Sequence, residues 1–506
     1  MKSLAFLPVL IVVLLMVLFS SCSKDEDPVV EPENQAPVLT LDISNEAGTV
    51  WNTVDVTVNA SDGDGGIETV ELWIDNEKIG ETTQSEYTFQ WNTRDFDDGT
   101  VTVKAIATDD KGLQSAQEQE IEILNTLMNI SIPEGYLIET FDMKYYVYIT
   151  NQLRQVIYFS QIEEEPFQAI VERPESFDDA TFDLHFLAAK PDKGEMISYT
   201  GITPGDFNPG APTGNGEFLR FANVSFWDVP EHDFFQFNHH AGFILEEDHN
   251  YSIPVFDQLD FAYLYLRNGE NGIYTFVENI TAHDPEVSLQ TTPFMMDRKE
   301  FSVGTPSTLL LFEARAHTGN SFYSPSVELF TAYSGQPTDE YSDFYHVPSN
   351  EPVFMNYSSK LTVLEDNTYY INEHFKSLGT SLQKLNANFM LDGTQLNNIN
   401  LSISGEDYDH VVAFYEVDAA QVYFEWECHG KGEDLEFPPI PVEVTQAFGN
   451  LSSSAFIFHD AKVRVEVRDY DHIDGFDQYW QRVSGRNSKH LHDGASVMIS
   501  TGEVFD

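Results

Sequence analysis

Between Val38 and Ile123 apolar residues return at every second position, in short runs cut by turn residues. Val54, Val56, Val58 and Ala60 make one run, and Val70, Leu72 and Ile74 another. Tyr87, Phe89 and Trp91 follow, then Val101, Val103, Ala105 and Ala107. The punctuation is Asp62-Gly63-Asp64-Gly65-Gly66, Asp75-Asn76, Asp97-Asp98-Gly99 and Asp109-Asp110-Lys111-Gly112. A period of two places alternate side chains on one face of a strand, and strands this short and this regularly punctuated predict a two-sheet sandwich.

Beyond Leu127 the texture stays β. Tyr145, Val147 and Ile149 alternate, as do Phe182, Leu184 and Phe186; Leu309 to Phe312 is a continuous apolar run suited to a buried strand. Tyr263-Leu264-Tyr265-Leu266 and Leu401-Ser402-Ile403-Ser404 also read as strands. Short helices are expected at Asn372 to Leu385 and at Gln478 to Val483. The proline- and glycine-punctuated stretch from Gly201 to Gly216 is expected to be a long loop. The expected fold class is therefore all-β and multidomain, with β-sandwich-type domains throughout. The expected divisions are 1–21 for targeting, 22–35 for a linker, 36–125 for the first sandwich, 126–400 for a β-rich region, and 401–506 for a C-terminal β-rich domain. A turn at Leu391-Asp392-Gly393 marks the last boundary, and a further division near Ile280 would split the middle region in two.

The chain opens with Lys2, an apolar run from Leu4 to Phe19 broken by Pro8, and then Ser20, Ser21 and Cys22. This is the order of a signal peptide, and the run of ~16 residues is short of the ~20 that a spanning helix needs. Phe19-Ser20-Ser21-Cys22 resembles a bacterial lipobox, although Phe19 and Ser21 depart from its usual Leu and Gly or Ala. The resemblance implies cleavage before Cys22 and acylation of that cysteine by fatty chains such as palmitate. Several chains hold a protein stably where one does not. The acids Asp25, Glu26 and Asp27 resemble an export signal that sends lipoproteins to the outer face of the outer membrane. Pro28 and Pro32 stiffen the spacer that follows.

Charge narrows the partners. The chain has 506 residues with 83 acids against 26 Lys plus Arg, a net charge of −57. Nucleic acid needs cationic contacts to phosphate, so it is excluded as a partner, and anionic headgroups are disfavoured. A dense carboxylate surface suits a salty or cation-rich medium. With Cys22 acylated, Cys428 is the remaining thiol, which leaves no intramolecular disulfide. Cys428 ends an alternating run and is expected to be buried. Its neighbour His429 would point to the opposite face.

The stretch from Asn34-Gln35-Ala36-Pro37 resembles the bacterial immunoglobulin-like modules of surface proteins. Ala60-Ser61-Asp62, Val70 to Asp75, Trp91-Asn92-Thr93, Asp98-Gly99 and Ala105 to Asp109 with Gly112 carry the match over roughly 90 residues. The resemblance implies a spacer or adhesive unit and no catalytic residues. Calcium is the cation the Asp-Gly loops would suit: Asp62 and Asp64 present carboxylates two apart, with Asp109 and Asp110 placed to join them. Asp469, Asp471, Asp474 and Asp477 are spaced somewhat like a D-x-D-x-D-G loop, but Asp474 falls one place late and no bidentate Glu follows. Gly405 to His410 is a weaker version of the same pattern. His490 and His492 would share a strand face next to Asp493; His239 and His240 would diverge.

No nucleophile elbow, H-E-x-x-H helix or phosphate loop occurs. Aromatics cluster at Phe226-Trp227, at Phe234 to Phe237 and around Trp480, where they fill cores or stack on sugar rings. The reading these features favour is a cell-surface lipoprotein whose β-domains bind a glycan or a protein partner. Two alternatives stay open: a carbohydrate-active hydrolase or lyase in the C-terminal region, for which a cleft with paired carboxylates would speak, and a structural adhesin. An exposed aromatic platform would speak for glycan binding.

Overall fold

In the computed structural model strands occupy 64% of the chain and helix 4%, so the architecture is all-β, built of sandwich-type sheets. The structure describes residues 33–44, 48–137, 142–209, 218–239, 242–244, 250–289, 297–304, 307–320, 324–334, 341–393, 395–396, 399–405, 408–419, 422–432, 435–445, 460–484 and 496–505. Cys22, His240, His490 and His492 lie outside them. The chain forms two compact units that meet in sequence at Asn125 and Thr126.

In the first unit a three-stranded sheet (Val38–Ile43, Thr53–Ser61, Glu86–Asn92) faces a five-stranded one. The latter runs Thr49–Val50, Gln114–Ile123, Gly99–Asp109, Ile67–Ile74, Glu77–Thr82. The alternating apolar residues meet between the sheets. Val56, Val58, Leu72, Ile74, Trp91, Val103 and Ala105 are fully buried there. Gly80 lets the backbone pass Phe89, whose ring a Cβ would meet at 2.8 Å.

The second unit is organised by a twelve-stranded sheet. Its order is Val156–Ile162, Lys144–Thr150, Phe182–Lys190, Lys193–Ile202, Val422–Gly430, His410–Ala419, Lys462–Tyr470, Ser496–Phe505, Thr368–Phe375, Asn356–Glu365, Thr308–His317, Ser326–Ala332. All neighbours are antiparallel except Lys193–Ile202 with Val422–Gly430. Strands from both sides of position 400 share this sheet, and Asn400 itself opens the second strand of the hairpin Ala387–Asp392/Asn400–Gly405.

So long a sheet buries its faces piecewise. One face is covered in part by the helix Gly475–Ser484 and a sheet of Phe167–Glu172, Thr126–Ile132 and Gly205–Phe207, over a core holding Ile149, Leu184, Phe207 and Trp480. The opposite face packs Tyr148, Met196, Tyr415 and Trp426 under the hairpin and under Leu435, Phe437 and Val444. At the far end the strands Phe234–His239, Phe261–Asn268, Asn271–Glu278 and Gly242–Ile244 form a sheet that shares a core with the strands from Thr308 to Ala332. Its other face packs on a sheet of Asn250–Phe256, Phe218–Trp227 and Glu286–Ser288.

Three expectations need correction. Asn372 to Leu385 is not a helix: Thr368–Phe375 is a strand paired on both edges, and Asn372 exchanges side-chain hydrogen bonds with the Gln383 backbone. Gly201 to Gly216 is not loop from its start, since Lys193–Ile202 ends inside it and Gly205–Phe207 pairs in parallel with Thr126–Ile132. Leu309 to Phe312 is a strand but is not buried throughout, because a register irregularity between Leu309 and Leu311 leaves Leu310 43% exposed. The helix Gly475–Ser484 contains the expected Gln478 to Val483.

Candidate functional site

Strand register builds a floor where the covering layer stops. Across six adjacent strands of the long sheet Tyr145, Ala188, Glu195, Glu425, Glu416 and Lys462 stand side by side. One step along, Val147, Phe186, Ile197, Glu427, Phe414 and Arg464 form a second row, extended by Val504. At about 4.8 Å per strand each row runs about 24 Å. A third row, with Leu184, Tyr199, His429 and Val412, leads under the helix and the small sheet. The uncovered part is a groove of about 920 Å³, walled on one side by Tyr136, Leu137 and Met143.

The first row sets three carboxylates on neighbouring strands, an arrangement that is unfavourable unless something offsets it. Lys193 offsets part of it: its ammonium pairs with Glu195 and stands 3.7 Å from Glu425, and the Glu195 contact raises its pKa. The Tyr423 hydroxyl donates to Glu425 Oε1 at 2.9 Å. In the second row the Arg464 guanidinium lies 4.0 Å from the centre of the Phe414 ring. Among the described residues neither Lys462 nor Arg464 has an acid within ion-pair distance.

Between the second and third rows, His429 Nε2 donates to Glu427 Oε1 at 2.9 Å. Burial opposes ionisation of Glu427, but this hydrogen bond and the nearby positive charge outweigh it and hold the carboxyl below its usual range. His429 Nδ1 lies 3.3 Å from His410 Nε2 and 3.4 Å from the Tyr479 hydroxyl. His410 is fully buried, and burial keeps it neutral. The groove thus joins carboxylate acceptors, four cations (Lys190, Lys193, Lys462 and Arg464) and half-buried rings on one face of the sheet. That combination can hydrogen-bond hydroxyls and stack on apolar faces.

Residues 37–115, in the first unit, match the bacterial Ig domain family. This unit is an immunoglobulin-like module. Within the module, Asp64 Oδ2 pairs with Lys111 at 3.1 Å, and that contact holds its carboxyl below the usual range. Asp62 Oδ1 accepts from the Asp64 backbone at 3.3 Å, and its Oδ2 is buried without a hydrogen-bond partner. Asp62 and Asp110 both crowd Gly65, while Asp109 receives Asn34 and the Lys111 and Leu113 backbones.

No curated protein matches the chain. Among solved structures, fibronectin(III)-like modules of Clostridium thermocellum CbhA are 25% identical over 17% of this chain and 94% of that one, with a TM-score of 0.15. Carbohydrate-binding modules of the β-sandwich superfamily are 12% identical, over 66% of this chain and 92% of that one, with a TM-score of 0.18. Bacteroides ovatus SGBP-B, in complex with a mixed-linkage heptasaccharide, is 10% identical over 66% and 100%, with a TM-score of 0.16. At such low TM-scores these likenesses carry no argument about function.

In the acid-rich turn after Tyr470 the acids have separate partners. Asp477 opens the helix and pairs with Lys431 at 3.0 Å; Asp471 turns to His472 at 2.9 Å; Asp474 uses its backbone N–H on Gln478. Burial, with Asp409 and Asp471 nearby, pushes the Asp469 carboxyl up. Among the described residues no group of three or more His, Cys, Asp or Glu is placed to hold a metal ion. Cys428 is buried in the core, with its thiol pushed well up by burial. His239 is buried and bonds the Leu259 carbonyl at 2.9 Å. Trp480 and Phe226 are core residues, whereas Trp227 is 56% exposed. The groove residues were not singled out from sequence. Their one local sign is the charged alternation Glu425-Trp426-Glu427, which marks a strand with one wet face.

Proposed function

We propose that this protein binds glycans in the groove on its long sheet and is displayed at the outer-membrane surface by acyl chains on Cys22. The observation that carries the binding reading is the pairing of two rows. Hydrogen-bonding side chains at Glu195, Glu425 and Glu416 lie one step from Phe186, Ile197 and Phe414, the apolar members of the second row, in one groove of about 920 Å³. A sugar ring offers both chemistries, with hydroxyls around its rim and C–H faces above and below. The volume is that of a ligand several rings long or smaller.

Titration calorimetry of the purified protein against neutral and uronic-acid oligosaccharides tests this. A micromolar ligand should bind, and Phe414→Ala should weaken it about tenfold, through loss of stacking and of the Arg464 support. If no oligosaccharide of either kind binds, or if Phe414→Ala binds as the parent does, the groove is not a glycan site. The anchor has its own test: Cys22→Ser should move the protein out of the membrane fraction, and continued membrane partitioning would exclude lipidation there.

A further inference from the structure

A second surface lies on the three-stranded sheet of Asn250–Phe256, Phe218–Trp227 and Glu286–Ser288. Alternation along Phe218–Trp227 sends Ala222, Val224 and Phe226 into the core and leaves Phe221, Asn223, Ser225 and Trp227 facing out. Phe221 is 60% exposed and Trp227 56%, with Phe218 at 48% beside them. Phe218 and Phe221 meet edge to face with centroids 5.2 Å apart, so they form one apolar corner. Trp227 stands six residues further along the same face, about 20 Å away at strand rise. Between these two apolar ends the outward side chains of Phe218–Trp227 and Asn250–Phe256 are neutral amides and hydroxyls: Asn223 opposite Ser252, and Ser225 bonded to Asn250 at 2.6 Å.

The joined Phe218–Phe221 corner is an exposed apolar patch of the kind that marks interaction sites, and Trp227 extends the same face. Their setting decides the occupant. On a chain of net charge −57 the charges along this strip are mainly acids: Glu286 stands across from Ser225, Asp284 accepts from the Asn223 backbone N–H at 2.9 Å, and Asp228 follows Trp227. Arg220, the cation next to it, is already paired with Asp284. An anionic polymer or headgroup therefore meets repulsion there and no free cation. A second copy of the chain would bring its own marginal acids against these in a two-fold contact. A neutral, extended polymer whose rings stack at both ends and whose hydroxyls reach the Asn and Ser groups between them meets neither penalty.

We infer that this face is a second binding site, for a linear neutral polysaccharide, separate from the groove and independent of whether the groove reading stands. A polymer that engages both surfaces would gain avidity that short oligosaccharides do not. The test is native affinity electrophoresis of the whole protein in gels containing a soluble neutral β-glucan, a neutral mannan or alginate, alongside Trp227→Ala, Phe221→Ala and the groove variant Phe414→Ala. At least one neutral polymer should retard the parent, each platform variant should raise the apparent Kd for it about fivefold or more, and any retardation by alginate should be unchanged in Trp227→Ala and Phe221→Ala. Phe414→Ala should keep the platform contribution. Both platform residues are more than half exposed, so melting temperatures near the parent's should confirm that the variants fold. Retardation that is absent with both neutral polymers, or unchanged in Trp227→Ala and Phe221→Ala, overturns the inference. So does gel filtration showing a parent dimer that Trp227→Ala dissolves, because the face would then be a self-association surface.

Discussion

Glu328 lies on the wholly buried strand Ser326–Ala332, where the Thr331 hydroxyl and Gln236 Nε2, at 3.2 Å, donate to its Oε1. Burial, helped by the Glu313 charge, pushes its carboxyl up to about 7. Arg315 stands 3.5 Å away but sits closer to Glu313, at 2.6 Å, so its charge is shared and does not reverse the shift. In the unfolded chain a glutamate titrates near 4.3. Between those two values the folded state holds a proton that the unfolded state has lost. Stability therefore falls as pH rises through that window and levels off above it. Glu328→Gln keeps a carbonyl acceptor for Thr331 and Gln236 and removes the titration. It should stabilise the protein by up to about 3 kcal/mol at pH 8 and leave it nearly unchanged at pH 4. Thermal melts at the two pH values decide: equal shifts at both would mean that packing, not ionisation, separates the two proteins.

At the scale of elements, Asp409 joins two of them. It precedes the strand His410–Ala419, and its Oδ2 accepts from the Tyr470 N–H at 2.7 Å while its Oδ1 accepts from the Gly475 N–H at 2.6 Å. One buried carboxylate thus fastens the end of Lys462–Tyr470 and the start of the helix Gly475–Ser484. Asp409→Ala leaves two backbone donors without it and should cost about 2–4 kcal/mol in urea denaturation. Asp409→Asn keeps one acceptor and should cost clearly less. Equal losses for the two would show that charge, not the twin acceptor, matters. That strands such as Val422–Gly430 exist was legible, because alternation is local and the run from Val422 to Cys428 displays it. The groove was not legible. Its first row joins Tyr145, Glu195, Glu425 and Lys462, which lie far apart in the chain and meet only through strand order. The parallel seam between Lys193–Ile202 and Val422–Gly430 has no signature of its own in either segment. Asn372 misled for a related reason: the polar stretch after it looked helical, but Thr368–Phe375 is held between two partner strands.

For the molecule as a whole the governing quantity is charge. With 83 acids and 26 Lys plus Arg, pairing every base still leaves most acids without a cation. The ion pairs that do form are mostly partly exposed, as with Lys193–Glu425 and Lys431–Asp477, and such pairs contribute little. Salt weakens these attractions and the far more numerous acid–acid repulsions together, so the sign of its net effect follows the larger population. The screening length shrinks from about 10 Å at 0.1 M to about 3 Å at 1 M, which is enough to decouple neighbouring surface carboxylates. Melting temperature should therefore climb by several degrees as sodium chloride is raised from 0.05 M to 1 M, and sodium and potassium should act alike if screening is the cause. An equal rise at a few millimolar calcium would instead mean that specific divalent binding dominates. A fall in melting temperature with salt would mean that the few ion pairs outweigh the acidic surface, against the balance of charge along the chain.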